Sequence, residues 1–274
     1  MNWTDKRDAF LAALRARPLV MGILNATPDS FSDGGQHDSS DAAVRHAMKM
    51  IVDGGDILDI GGESTRPGAV PVEQEEELKR ILPVVRALAA EDTPISIDTY
   101  KASTARAAVE AGAVIINDVW GAQKDAEMAA TMADTEAAVV LMHNRAEADA
   151  RVEVMDDMRA FLSESLEIVT KEGVLRERIL LDPGIGFGKT PEQSLTCLNR
   201  LDELGDWFGL PVLLGLSRKR MIGHVLDVPV EKRLTGTLAA NMIGLARGAN
   251  VLRVHDVAEH VQAVRMFTAV RTAP

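Results

Sequence analysis

Asp98, Asn117 and Asp182 each stand directly behind a short apolar run, namely Ile95-Ser96-Ile97, Val114-Ile115-Ile116 and Ile179-Leu180-Leu181. A carboxylate or carboxamide so placed leaves a strand rather than a loop. Asp98 also stands several residues ahead of the next helical stretch, which makes an N-cap a poor explanation of it. Such groups suit the N–H edges and carbonyls of a flat nitrogen heterocycle. The plainer alternative is polar residues satisfied by neighbouring backbone. Arg253 and His255 alternate along the last apolar run, so both face one side and present positive charge and N–H donors to an anion such as phosphate or pyrophosphate. Asn25 ends the first run, and its carboxamide oxygen is a hard ligand suited to magnesium carrying phosphate. On spacing alone, capping a turn ahead of Pro28 explains Asn25 equally well. Lys219, between Arg218 and Arg220, is either a Schiff-base amine or a cationic hydrogen-bond donor, and its place beyond the end of its run, with two residues between, favours the donor. The Gly184–Thr190 stretch, GIGFGKT, has three residues between Gly184 and Gly188, one short of a nucleotide-binding loop. It reads instead as a tight glycine turn exposing Phe187 as a stacking surface.

Eight apolar runs must position these groups: 19–24, 56–60, 94–97, 113–116, 137–142, 179–181, 211–216 and 250–254. Several are nearly continuous in leucine and β-branched residues, as strands covered on both faces are. Stretches of helical period follow each one, over 41–52, 73–90, 101–111, 125–132, 157–171, 192–204, 235–247 and 257–270. Eight strand–helix units averaging about 34 residues predict a (β/α)8 barrel, because right-handed crossovers of one sense close an eight-stranded parallel sheet. A doubly wound open sheet is the alternative, but its ligand sits at a glycine-rich first turn, whereas here polar residues follow every strand. In a barrel those eight ends converge on one rim, and residues more than 200 apart in the chain line one pocket. A charged helix over about residues 3–15, with Phe10, Leu11 and Leu14 on one side, is expected to cap the bottom of the fold rather than bind a membrane or partner.

The 274 residues are 46% apolar and 26% charged, the composition of a globular chain rather than a disordered or fibrous one. Nothing divides them, so a single domain over 1–274 is expected. Thirty Lys and Arg against 41 Asp and Glu leave a net charge of −11, which repels a phosphate backbone and argues against nucleic acid. No run approaches the roughly 18 apolar residues of a membrane helix, so no membrane partner is expected. With one cysteine, Cys197, and no signal-peptide core in the opening residues, a cytoplasmic protein is expected.

Seven motifs occur in order, each at an expected strand end: MGILNATPDSFSDGG (Met21–Gly35), DIGGESTRPGA (Asp59–Ala69), SIDT (Ser96–Thr99), INDV (Ile116–Val119), LDPGIGFG (Leu181–Gly188), SRK (Ser217–Lys219) and RVH (Arg253–His255). Together they make the chain resemble the dihydropteroate synthases, the pterin-binding folate-pathway barrels that sulfonamides inhibit, from about Val20 to Val257. The resemblance implies condensation of 6-hydroxymethyl-7,8-dihydropterin pyrophosphate with p-aminobenzoate, releasing pyrophosphate. It implies that Asp98, Asn117, Asp182 and Lys219 hold the pterin with Met142 beside it, and that Arg253, His255, Asn25 and Thr65 hold the pyrophosphate with magnesium at Asn25. It further implies that the aminobenzoate lies between Pro67, Phe187 and Lys219, with Arg66 in the same substrate-binding loop, and that the protein is a homodimer. The loops over 26–37 and 63–71, rich in Gly, Ser, Asp and Pro, are expected to close over pyrophosphate and exclude water.

Some features depart from the family pattern. Arg220 stands where a serine is expected to help bind the aminobenzoate carboxylate, and 143–156 lacks the expected Gly and Pro. No extra Phe-Gly accompanies Thr65-Arg66, so sulfonamide sensitivity is expected. Competing readings are a pterin-dependent methyltransferase, against which the ESTRPGA, SRK and RVH segments argue, a non-catalytic pterin-binding paralogue, and a lysine-dependent aldolase.

Overall fold

The computed structural model describes residues 1–26, 36–63 and 72–274, with the backbone alone for 36–39. Along the chain run α1 (Trp3–Ala16), β1 (Leu19–Asn25), α2 (Gln36–Val52), β2 (Ile57–Gly61), α3 (Gln74–Leu88), β3 (Ile95–Asp98), α4 (Ala102–Ala111), β4 (Ile115–Asp118), α5 (Met128–Thr135) and β5 (Ala138–Met142). They are followed by α6 (Val154–Lys171), β6 (Ile179–Asp182), α7 (Pro191–Asn199), α8 (Asp202–Phe208), β7 (Val212–Leu214), α9 (Arg220–Leu226), α10 (Leu234–Ala246), β8 (Ala249–Val254) and α11 (Val257–Arg271). The eight strands pair in sequence order, all parallel, and β8 pairs with β1 to close the barrel. This is the expected TIM barrel with a short N-terminal helix.

Period-two alternation splits each strand between two environments. Val20, Leu24, Leu58, Ile60, Ile95, Ile97 and their counterparts on the other strands pack outward against the helices. Leu19, Met21, Ile57, Ile115, Ala138, Val140, Leu180, Leu213 and Val251 point inward and form an apolar plug in the N-terminal half of the barrel. Phe10 and Leu14 of α1 join that plug, with Trp3 and Leu11 partly buried against it. Trp3 Nε1 donates to the Ala113 carbonyl at 2.8 Å, and Lys6 Nζ to those of Ala89 and Glu91 at 3.0 and 2.5 Å. The helix therefore caps the bottom, as its apolar side predicts. A cavity of about 460 Å³ beside it, between Leu11, Leu14, Arg15, Arg176 and Asn250, lies at the end of the barrel remote from the polar strand ends.

Several element boundaries differ from expectation. The helix expected over 192–204 is two, α7 and α8, with the break at Arg200–Leu201 allowing both Leu201 and Leu204 to be buried. α7 begins in a reciprocal cap, in which Thr190 accepts from the Gln193 N–H, Gln193 accepts from the Thr190 N–H, and Pro191 fills the first turn. α6 starts at Val154 rather than Asp157 because the Glu153 carboxylate caps the Met155 and Asp156 N–H groups. β7 ends at Leu214, short of Leu216, after a register shift against β8 at Val212/Leu213. α9, directly behind Lys219, was not foreseen.

Candidate active site

Above the apolar plug the same inward face turns polar. Continuing the alternation, Asn25, Asp59 and Gly61, Ser96 and Asp98, Asn117, Met142, Asp182 and Arg253 all project into the C-terminal half of the barrel. Neighbouring registers bring Asp98 beside both Gly61 and Asn117, and Met142 beside Asp182. The change from apolar to polar within one strand face makes the barrel closed below and reactive above.

Arg253 is the hub of this layer. Its Nε donates to Asp59 Oδ2 at 2.6 Å and its Nη2 to Asp98 Oδ2 at 2.5 Å, while Asn117 Nδ2 lies 3.3 Å from each Asp59 oxygen. Burial disfavours the Arg253 cation, but Asp59 and Asp98 more than offset this and hold the guanidinium charged. Asp98 Oδ1 is buried with no hydrogen-bond partner among the described residues. Burial pushes the Asp98 carboxyl up to about 7 against the pull of Arg253. Asp182 is raised as well, by burial first, against the opposing field of Lys219 and the Gly184 N–H, which donates to its Oδ1 at 2.7 Å. Gly215 leaves room here: a Cβ on it would stand 3.7 Å from both Arg253 Cδ and Asp182 Oδ2.

Lys219 closes one wall. Its Nζ donates to the Ile185 carbonyl and stands 4.3 Å from the centroid of the Phe187 ring. Burial lowers Lys219 to about 7, with Asp182 pulling the other way. The local backbone explains its direction. Arg218 adopts φ 58°, turns away to pair with Asp256 (Nε to Oδ2, 2.9 Å), and leaves Lys219 to face the pocket as the N-cap of α9. His255, one residue beyond β8, is set by Ser217, whose Oγ accepts from its backbone N–H at 3.2 Å and lies 3.0 Å from its Nδ1.

The structure thus brings Asp98, Asn117, Met142, Asp182, Phe187, Lys219, Arg253 and His255 to one end of the barrel, with Asn25 at its rim. Arg253 reaches inward to the carboxylates of Asp59 and Asp98, while His255, on the same face of the strand end, is set by Ser217. Thr65, Arg66 and Pro67, with most of the two expected lid loops, lie outside the described residues. At the borders of 64–71, Lys101 Nζ donates to Glu63 Oε2 at 2.6 Å and to the Val72 carbonyl at 2.6 Å. His143 and Asn144, which follow β5, are structural. The His143 Nε2 faces Asp157 at 3.1 Å and burial lowers its pKa to about 2, while Asn144 Nδ2 donates to the Val119 carbonyl at 2.8 Å. In the 143–156 loop, Gln193 Nε2 holds the carbonyls of Asp149 and Val152 at 2.8 and 3.0 Å. Arg220 is exposed at the start of α9.

Asp59 is the residue that motif reading passed over. It is fully buried, and its signal was present: a carboxylate inside Ile57-Leu58-Asp59-Ile60, two residues before Gly61 and hence on the same face. Among the described residues no three His, Cys, Asp or Glu side chains cluster as a metal site. Asn25, at the end of β1, would offer a single carboxamide oxygen to a magnesium ion, an ion that commonly takes one or two protein oxygens and draws its remaining ligands from phosphate and water.

A barrel with this mouth defines a binder of a flat, hydrogen-bonding heterocycle. The family model for pterin binding enzymes matches residues 21–255. A dihydropteroate synthase from Bacillus subtilis is 50% identical over 256 residues, which is 93% of this chain and 89% of the relative. A dihydropteroate synthase from Clostridium difficile, crystallised in the presence of pteroic acid, superposes with a TM-score of 0.90 at 48% identity, covering 94% of this chain and 98% of the other. One from Xanthomonas albilineans with 4-aminobenzoic acid gives 0.90 at 45% identity and covers 94% of each chain. The chain belongs to the dihydropteroate synthase family of pterin-binding enzymes. That membership sets aside the methyltransferase, the non-catalytic paralogue and the aldolase.

Proposed function

We propose that this pocket joins 6-hydroxymethyl-7,8-dihydropterin pyrophosphate to p-aminobenzoate, releasing pyrophosphate and forming 7,8-dihydropteroate by a dissociative displacement. The observation that carries the reading is Asp98: a buried carboxyl with one oxygen fixed by Arg253 and the other unpartnered, in a layer that also holds Asn117 and Asp182. The unpartnered oxygen accepts a pterin N–H. Asn117 directs its amide nitrogen at Asp59, which leaves its carbonyl oxygen and a second N–H for the ring.

When the exocyclic C–O bond breaks, both electrons leave with pyrophosphate and positive charge spreads over the electron-rich dihydropterin. Ionised Asp98, held in a dry pocket, stabilises that charge. Arg253 and His255 donate to the departing oxygens, and the Lys219 ammonium donates to the pterin. Asn25 would hold magnesium, which would supply charge neutralisation to the leaving group. Phe187 offers an aromatic face to the arylamine, whose lone pair forms the new C–N bond. The amine is nucleophilic while neutral, so its proton leaves after attack and no strong base is required. Thr65, Arg66 and Pro67 complete the substrate contacts.

The test is pyrophosphate release from dihydropterin pyrophosphate with and without p-aminobenzoate and magnesium. Release that depends on all three supports the reading, and release indifferent to p-aminobenzoate overturns it. A sulfonamide competing with p-aminobenzoate alone fits the same pocket. No described helix is long and apolar enough to cross a membrane; a cytoplasmic location is part of the proposal. Homodimerisation through the last helices is part of the proposal, because α10 and α11 expose Ile243, Met266 and Val270 at 51, 66 and 64%.

A further inference from the structure

Lys189 is 7% exposed and takes no part in the pocket chemistry described above. Its ammonium donates to three backbone carbonyls, those of Gly184 at 2.9 Å, Phe187 at 3.2 Å and His143 at 3.3 Å. These belong to the turns after β6 and β5. The Gly184–Gly188 turn rests on three glycines at φ 63, 79 and 54°, a path that removes its carbonyls from any strand or helix ladder. A Cβ on Gly184 would lie 1.8 Å from the His143 carbonyl oxygen, so the two turns are in direct contact where Lys189 joins them. The other side of this turn faces the pocket: the Ile185 carbonyl accepts from Lys219, and the Phe187 ring lies beneath the Lys219 ammonium. Two lysines therefore grip one glycine turn from opposite sides.

We propose that Lys189 is a positioning residue for the arylamine subsite: by holding the Gly184, Phe187 and His143 carbonyls it sets where the Phe187 ring and the Ile185 carbonyl stand, and through them Lys219. The inference rests on the assignment of p-aminobenzoate to Phe187 and Lys219 above. It bears more on the arylamine than on the pterin, of whose expected contacts Asp182 and Lys219 touch the turn. Asp59, Asp98, Asn117 and Arg253 are tied to one another on β2, β3, β4 and β8 without the turn, so the pterin floor keeps its geometry when Lys189 is lost. Burial lowers Lys189 to about 8, opposed by nearby Asp182 and Asp157, so the ammonium is charged at neutral pH and has three donors for three carbonyls.

The experiment compares the full chain with Lys189→Met, which keeps the length and removes the donors, and Lys189→Arg, which keeps charged donors. For Lys189→Met, KM for p-aminobenzoate is expected to rise about tenfold, and by a larger factor than KM and Kd for dihydropterin pyrophosphate, which keeps Asp98, Asn117 and Arg253 in place. Amide exchange over 184–188 is expected to accelerate. Lys189→Arg is expected to recover part of the p-aminobenzoate KM and of the exchange protection, and it serves alone if the methionine variant does not fold, a larger rise for p-aminobenzoate than for dihydropterin pyrophosphate then being the supporting result. Equal rises in both KM values, or unchanged exchange over 184–188, overturn the proposal. If the parent shows no condensation at all, the functional reading fails instead, and the exchange measurement still decides whether Lys189 holds the turn.

Discussion

Asp98 and Lys219 are the two groups whose charge the reaction uses and whose surroundings move them furthest toward neutrality, Asp98 up to about 7 and Lys219 down to about 7, each chiefly by burial. The consequence for rate follows from the signs. As pH falls through the Asp98 value its carboxylate is protonated and support for the cation is lost; as pH rises through the Lys219 value its ammonium is lost. A bell-shaped profile of kcat/KM with both limbs close to neutral pH is expected, and Lys219→Arg should carry the alkaline limb upward while the acid limb stays. A flat profile between pH 6 and 8, on the order of one unit either side of neutral, would contradict these assignments. Asp98→Asn keeps the shape of the side chain and removes its charge, so kcat is expected to fall about a hundredfold, near 3 kcal/mol of transition-state stabilisation. Pyrophosphate binding measured by calorimetry should change far less; equal losses in both would remove the cation role.

At the level of elements, a strand carries two faces and each face two halves. Ile57, Asp59 and Gly61 illustrate it on β2: the first packs into the plug, the second binds Arg253, and the third leaves space against Asp98. The plug depends on α1. Leu14→Ala is expected to cost about 3 kcal/mol in urea unfolding through lost burial and the cavity left behind, with kcat almost unchanged because the reacting groups lie at the other end of the barrel. A large loss of kcat at constant stability would mean the two halves are coupled. Arg218 shows a local device of another kind. A non-glycine residue at φ 58° costs about 1–2 kcal/mol of backbone strain, and its pairing with Asp256 stabilises the turn that aims Lys219 inward.

For the whole molecule, the exposed apolar side chains of α10 and α11 give the oligomer prediction. Light scattering is expected to return twice the 29.6 kDa chain mass, and Ile243→Glu to shift the population toward monomer. A monomer in the parent chain at micromolar concentration would end that part of the proposal.

Much of this was legible in the sequence. Eight apolar runs with intervening helical periods imply the barrel, because burial on both faces and one crossover sense leave few other closures. Asp98, Asn117, Asp182 and Arg253 were legible for the same reason, being polar groups at strand ends. Asp59 was missed through attention to ends rather than to the face two residues before them, and the division of residues 192–204 into α7 and α8 left no mark in the helical period. What composition and period cannot carry is who bonds whom across the closed sheet. That Arg253 bonds Asp59 and Asp98, and that Lys189 and Lys219 both bond carbonyls of one glycine turn, depends on residues far apart in the chain meeting at bonding distance. Distances of that kind are set by strand register and barrel closure, which are properties of the packed molecule and not of any segment of it.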